Sequence, residues 1–525
     1  METLHLNGYA DAAHARIYLN EEEAVRPEKK IVLKNRGDQT IEDIRLVINS
    51  RKNWYDFDSW WKEITSGAET DLEKALCVFW FFYDINNHQC GGGTLRDPIL
   101  FINSFGYECC TDMHIILNRI FSLKGFPHRN SRAFNHAVDE YVIEDRFRHL
   151  DANIKVYYLG RDNLEPLGIN EARIDPYLIR RTPHYSLYDP DFSYHPLKNH
   201  WPLSTKISYI YSPSTGDKEP ELIQGYSPAE INLRLRKGES FEYLYGKPKR
   251  RKPLDALLPE NKISRFIRNG VLITEIDFQN SGDYPWIRLE NLERNSTGEM
   301  SVSGSSGKIV IPLTTAYPIT GMDALVKAEG GNNLKIEVES FGEKTGKMSG
   351  SVVPHRWKNL DSLTDNYWPS RQMEVTVHYS SQKRKKIKIK GIILKTYVQI
   401  SRVSLPELQL GENIIQYTDS SKERDVELRI EYVPITGRIP PESPQRCFYP
   451  PDKEKVNDSK ICFSWESSVD PDDSGIKTYH FQLSDRKDML YPLSPSFDRV
   501  IGRTLSSGES SYILPFPDRK STRLN

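Results

Sequence analysis

The sequence predicts an α+β multidomain protein, with a mixed helix-and-strand core near its amino end and β-sandwich domains behind it. Three observations carry that expectation. At 525 residues the chain exceeds what one hydrophobic core organises, a usual domain being about 150 residues. Broad apolar faces at helical spacing occur early, in 71–83 and 110–123. From about residue 231 onward, apolar and polar residues instead alternate in short runs, the period of half-buried strands.

Taken in order, residues 1–50 form a β leader. Ala15–Leu19, Lys30–Lys34 and Ile44–Ile48 alternate, and Asn35-Arg36-Gly37-Asp38 makes a turn between the last two. Residues 51–205 contain the mixed core. Asp71-Leu-Glu-Lys-Ala-Leu-Cys-Val-Phe-Trp-Phe-Phe starts with an acid and continues apolar, as a buried helix does. A second helix is expected from Cys110 to Leu123, stopped by Gly125 and Pro127. Strand signals surround 136–141, 148–150 and 155–159, and the Pro-, Tyr- and His-rich stretch 176–206 reads as a lid or connector. Residues 206–320 are β-rich, 321–433 read as a β-sandwich, and 434–451 as a Pro-rich linker. In 452–525, Ile461-Cys-Phe-Ser-Trp-Glu and Ile476-Lys-Thr-Tyr-His-Phe-Gln-Leu-Ser resemble the early strands of a fibronectin type III domain. That module reads as incomplete, because the chain ends soon after Ser511-Tyr-Ile-Leu.

Composition narrows the function classes. Apolar content of 38% and charged content of 27% describe an ordinary globular chain. With 71 Lys plus Arg against 72 Asp plus Glu, no global field draws nucleic acid, and no nucleic-acid partner is expected. The basic runs Lys247–Pro253 and Lys383–Lys390 read as solvated loop and edge faces. No run approaches the ~18 apolar residues of a membrane span, and Met1–Asn20 carries no signal-peptide pattern. Localisation stays open, because sandwich modules suit an extracellular protein whose export signal is missing from the chain. The six cysteines (77, 90, 109, 110, 447, 462) make no disulfide framework or paired CxxC set, and no metal or cofactor is expected. Gly91-Gly92-Gly93 lacks the Lys-Ser/Thr of a phosphate loop, and Asp470-Pro-Asp-Asp-Ser-Gly475 reads as a turn.

The chemistry concentrates in Gly106-Tyr-Glu-Cys-Cys-Thr-Asp112. This run puts a thiol at the start of a helix, where free N–H groups and the dipole favour thiolate. Asn135-His136-Ala-Val-Asp-Glu140 then offers a His at the head of a strand, and Arg148-His-Leu-Asp151 an acid at the end of another. Cys110, His136 and Asp151 form the candidate triad of nucleophile, general base and orienting carboxylate. A lone cysteine on an apolar helix is more often structural, so the ordered spacing of the three carries the reading.

At these residues the chain resembles the transglutaminase-like superfamily, whose papain-like α+β core runs Cys on a helix, then His and Asp on strands. The resemblance covers roughly 70–159. Gly125-Phe-Pro-His-Arg129 falls fifteen residues after Cys110, which, with Asp112, favours Cys110 over Cys109 as the family's nucleophile. The family's His-Ala-Trp-x-Glu is His136-Ala-Val-Asp-Glu140 here, with Val for Trp, and its Asp-Pro is Asp151-Ala152. The resemblance implies a cysteine amidase or peptidase acting through a thioester on Cys110, with a peptide, protein or peptidoglycan-type amide as substrate. The alternative is an inactive core whose β-sandwich modules bind polysaccharide or protein, for which Trp357, Tyr367 and Trp368 are the aromatic candidates. Tyr107, Asn103 and Gln89 are polar candidates for a second oxyanion donor, Glu140 reads as a salt-bridged strand residue, and His149 as a solvated strand position.

Overall fold

The computed structural model describes residues 2–8, 12–19, 30–85, 87–88, 96–104, 107–108, 110–133, 136–153, 155–180, 219–245, 249–250, 267–279, 283–295, 300–302, 305–329, 334–341, 346–361, 370–380, 388–409, 411–431, 444, 446–451, 461–471, 479–494, 498–501 and 511–513. It is a multidomain mixed α/β chain, mostly antiparallel sheet with some helices, and it divides into two compact units. The helical expectations are met closely, at Asp71–Ile85 and Cys110–Leu123. Residues 155–159 make only isolated bridges, Asp151 with Val156 and Leu159 with Pro166, where the alternation predicts a strand. The 176–206 connector begins with a short helix, Pro176–Arg180, and otherwise lies outside the described residues.

The first unit comprises Met1–Trp60, Ile99–Phe105 and Ala229–Thr436. Its described strands make ten-, four- and five-stranded sheets and a two-stranded pair, Lys249–Arg250 with Ile267–Arg268. In the largest, Lys30–Asn35 lies between Arg424–Glu431 and Glu239–Leu244, and Gly270–Asp277 continues to Lys388–Val398. The leader strand Ile41–Ile48 likewise pairs with Gly411–Thr418. Residues 1–50, 206–320 and 321–433 therefore share sheets rather than standing as separate layers along the chain. Alternation sets the buried faces, as in Arg424–Glu431, where every second residue is buried. Gly238 has φ +78° in the turn before Glu239–Leu244, and a Cβ there would lie 2.3 Å from the Glu275 carbonyl oxygen. Only glycine fits that close approach.

The second unit comprises Trp61–Pro98, Gly106–Pro228 and Gly437–Asn525. The Asp71–Ile85 helix starts at a reciprocal cap, in which Thr70 Oγ1 accepts the Glu73 N–H and the Glu73 carboxylate accepts the Thr70 N–H. From Ala75 to Trp80 every side chain is buried, so this helix forms the unit's centre. Phe79 meets Tyr157 edge-on, with ring centroids 4.9 Å apart. The Cys110–Leu123 helix ends in a Schellman turn. Gly125 has φ +82°, the Phe126 N–H donates to the Phe121 carbonyl, and the Gly125 N–H donates to that of Ser122. Beyond it, His128–Ala133, His136–Ile143 and Arg146–His149 form a three-stranded antiparallel sheet.

The terminal module has strands at Cys447–Tyr449, Cys462–Trp465 and Ser511–Ile513 in one sheet, and Tyr479–Gln482 with Asp498–Ile501 in another. Its small core is Ile461, Phe463 and Trp465, with Tyr479 and Phe481 packed on it. The segment after Tyr479–Gln482 docks near the Asp71–Ile85 helix. Arg486 pairs with Glu73 and donates to the Gly67 carbonyl, and the Tyr157 hydroxyl donates to the Leu493 carbonyl.

Candidate active site

The Cys110–Leu123 helix and the His136–Ile143 strand run in the same sense. His114 on the helix reaches Asp139, and two residues further along the strand the Tyr141 ring packs against Phe121 at a 45° tilt, centroids 4.2 Å apart. The amino ends of the helix and the strand therefore lie at one end of the sheet. The strands are antiparallel, with Glu140 opposite His149, so the chain leaving Arg146–His149 reaches Asp151 at that same end.

Cys110 is the first residue of its helix, half-buried, and carries a thiol rather than a disulfide. Asp112, two residues further, is buried and accepts from Arg96 Nε at 2.9 Å, which ties the segment before the thiol to the helix's first turn. His136 opens its strand opposite Ala133, and its side chain lies outside the described part. Asp151 is buried, and one carboxylate oxygen accepts the Asn153 N–H at 3.1 Å. Its backbone exchanges both hydrogen bonds with Val156, Asp151 N–H donating at 3.0 Å and Val156 N–H at 2.9 Å. This tight turn fixes the acid where the third strand ends. Cys109, Cys90 and Gln89 lie outside the described residues, as does the Tyr107 side chain.

The motif residues Arg129 and Glu140 meet. Arg129 Nε donates to Glu140 Oε2 at 2.8 Å, Nη2 lies at 2.8 Å from the same oxygen, and the Ile169 N–H donates to Oε1 at 2.6 Å. Glu140 is thus the salt-bridged strand residue its sequence suggests. Val138, at the position of the expected Trp, packs in a buried cluster with Val156, Tyr158 and Leu167. His149 differs from expectation. It is buried, with Nδ1 at 2.9 Å from the Asp139 carbonyl oxygen, because the register places it against the middle strand rather than at a solvated face.

Sequence reasoning passed over His114 and Asp139, although a His four residues after the thiol was the available signal. His114 Nδ1 contacts the Asp139 carboxylate, and its Nε2 lies 2.8 Å from Asn130 Oδ1. Burial pushes the Asp139 carboxyl up from its ordinary 3.8 to about 6, against the opposing hydrogen bonds and charge of His114 and Asn118, and the Asp151 charge adds to the rise. Elsewhere in the unit burial pushes the Cys77 thiol up to about 12, so that cysteine is chemically quiet.

The remaining candidates are otherwise engaged. Asn103 Nδ2 donates to the Trp54 carbonyl at 2.7 Å and the Ile99 carbonyl at 2.9 Å, which is a loop-pinning role. Trp357 is exposed, but the Lys395 ammonium sits 4.6 Å from its ring centroid, and Tyr367 and Trp368 lie outside the described residues. Among the described residues no cluster of three or more His, Cys, Asp or Glu is placed to hold a metal, and no helix is long and apolar enough to cross a membrane.

No family model matches the chain, and no curated protein does. Among solved structures, the chain is similar in part to a family two carbohydrate esterase from Cellvibrio japonicus, at 12% identity and TM-score 0.17 over 27% of this chain and 37% of the esterase. It is also similar in part to TmCBM61, solved with β-1,4-galactotriose, at 14% identity and TM-score 0.15 over 22% of this chain and 89% of that one. Likeness of that extent assigns neither fold nor activity.

Proposed function

We propose that the chain is a transglutaminase-like cysteine amidase or peptidase, with Cys110 as nucleophile, His136 as general base and Asp151 as the carboxylate that orients the ring. The observation that carries this reading is the convergence of three element ends: the start of the Cys110–Leu123 helix, the start of the His136–Ile143 strand and the turn after Arg146–His149. The Arg129–Glu140 pair adds support, since it joins the two motif segments that flank the reacting groups.

In this scheme His136 takes the Cys110 proton as sulfur attacks an amide carbonyl carbon, and the C–N bond breaks as the amine leaves with that proton. Water, deprotonated by His136, then attacks the thioester, releasing the acid and returning the proton to sulfur. The Cys110 N–H, in the first turn of its helix, contributes to the oxyanion site. Peptide, protein or peptidoglycan-type amides are the proposed substrates.

The test is peptide-resolved alkylation of Cys110 across about pH 4 to 10 in wild type and His136→Ala, with Cys77 as internal control. Fast labelling of Cys110 well below the ~8.5 of an ordinary thiol, lost in His136→Ala, is the expected result. An ordinary thiol curve in wild type would sink the enzyme reading and leave the β modules as the functional part.

A further inference from the structure

We propose that the outer face of the strands Lys358–Asn359, Ile319–Glu329 and Lys388–Val398 is a polysaccharide-binding site, where the exposed Trp357 ring stacks on a neutral pyranose and Asp323, Asn359 and Lys395 hydrogen-bond its hydroxyls. The site lies wholly within the first unit, and the inference does not rest on the reading of Cys110 as nucleophile.

The strand register builds this face. Asp323 stands opposite Asn359 on one neighbouring strand and opposite Lys395 on the other, and residues directly opposite across a ladder share a side of the sheet. Asp323, Lys395 and Tyr397 are half-buried while their chain neighbours Met322, Ala324, Leu394 and Thr396 are buried, so this is the side turned away from the core. Trp357 comes two residues before Asn359, and the Lys395 ammonium lies over its ring, 4.6 Å from the centroid, which puts the indole on the same side. The residue is 47% exposed; with Lys395 against one face of the ring, the other is turned to solvent.

A hydrogen-bonded network fixes the polar groups beside the ring. Asp323 Oδ1 accepts Asn359 Nδ2 at 2.9 Å, and Oδ2 accepts the Tyr397 hydroxyl at 2.7 Å. Asn359 Oδ1 accepts the Asp361 N–H at 3.1 Å, and Arg268, paired with Asp361, lies 4.9 Å from the Tyr397 ring centroid. Each Asp323 oxygen keeps a further lone pair and the Asn359 amide a further N–H. Among the described residues no acceptor takes the Lys395 ammonium or the Trp357 indole N–H. A pyranose matches that set: its C–H face is apolar and covers the ring, while the hydroxyls at its edge donate to the carboxylate and accept from the ammonium and the amide. Successive positions on one side of a strand lie ~7 Å apart, so the ring and the Asp323–Asn359 pair fall within the span of one or two sugar units. Arg268 and Lys395 balance Asp323 and Asp361, which suits a neutral chain rather than a polyanion.

The experiment is affinity electrophoresis of the full chain in native gels containing galactomannan, xyloglucan, mixed-linkage β-glucan or β-1,4-galactan as neutral probes, with polygalacturonate as the acidic comparison. Retardation by at least one neutral probe is expected. Trp357→Ala, at an exposed position, is expected to weaken it by about tenfold or more, and Trp357→Tyr, which keeps a ring, to recover part of the loss. Hydrogen exchange of the wild type is expected to slow across 322–327, 357–361 and 394–398 when an oligosaccharide of the retarding probe is added. No retardation by any neutral probe, retardation by polygalacturonate alone, or retardation that Trp357→Ala leaves unchanged overturns the proposal. Should Trp357→Ala unfold, the exchange measurement decides, and protection that appears elsewhere in the chain but in none of these three segments overturns it.

Discussion

Asp139 shows how a single buried carboxylate couples this site to pH. Its folded pKa of about 6 stands above the ordinary 3.8 because burial disfavours its charge more than His114 and Asn118 favour it. The sign follows from linkage: the folded state holds the proton more tightly, so the contribution to stability is fully present below about pH 4 and is lost as pH rises through about 6. Two pKa units correspond to about 2–3 kcal/mol. Urea unfolding of wild type and Asp139→Asn between pH 4 and 7.5 is expected to show wild type gaining relative stability toward the acid end by that order. A difference independent of pH would remove Asp139 from this role. Cys77 makes the opposite point, since burial pushes its thiol up to about 12 and a cysteine in a helix interior stays unreactive where one at a helix start need not.

At the scale of elements, the Arg129–Glu140 pair joins two strands to a helix. Arg129 belongs to His128–Ala133, Glu140 to His136–Ile143, and the Ile169 N–H that completes the carboxylate opens Ile169–Ile174. Gly168 is small for a reason, because a Cβ there would lie 2.8 Å from Glu140 Oε1. Breaking a buried pair leaves an uncompensated charge, at a cost of about 3–5 kcal/mol. Arg129→Met is therefore expected to destabilise the protein by that amount in chemical denaturation, and Arg129→Met with Glu140→Gln to recover part of it. A loss below about 1 kcal/mol in the single variant would show that the carboxylate is satisfied without Arg129.

At the scale of the whole molecule, the first unit is closed by strands far apart in sequence. Lys30–Asn35 hydrogen-bonds Arg424–Glu431 on one side and Glu239–Leu244 on the other, and Ile31, Val32 and Leu33 are buried. Removing residues 1–50 would expose both neighbouring edges and strip the core of these side chains. The truncated chain is expected to lose hydrogen-exchange protection across 239–244 and 424–431. Protection retained there would mean the leader is dispensable to the sheet.

Local signals placed what depends on near neighbours. The apolar faces and stop signals located both long helices, the Cys110 helix ended at its Gly125 turn, and alternation found the His136 strand, because each of these is governed by contacts within a few residues. The same spacing nominated Cys110, His136 and Asp151. Alternation says which face of a strand is buried but not which distant strand covers it, so the sharing of sheets by 1–50, 206–320 and 321–433 was decided by tertiary pairing. The burial of His149 and the His114–Asp139 contact belong to the same class. Each depends on register across a sheet or on a helix laid against it, and a one-residue shift in that register would turn these side chains elsewhere.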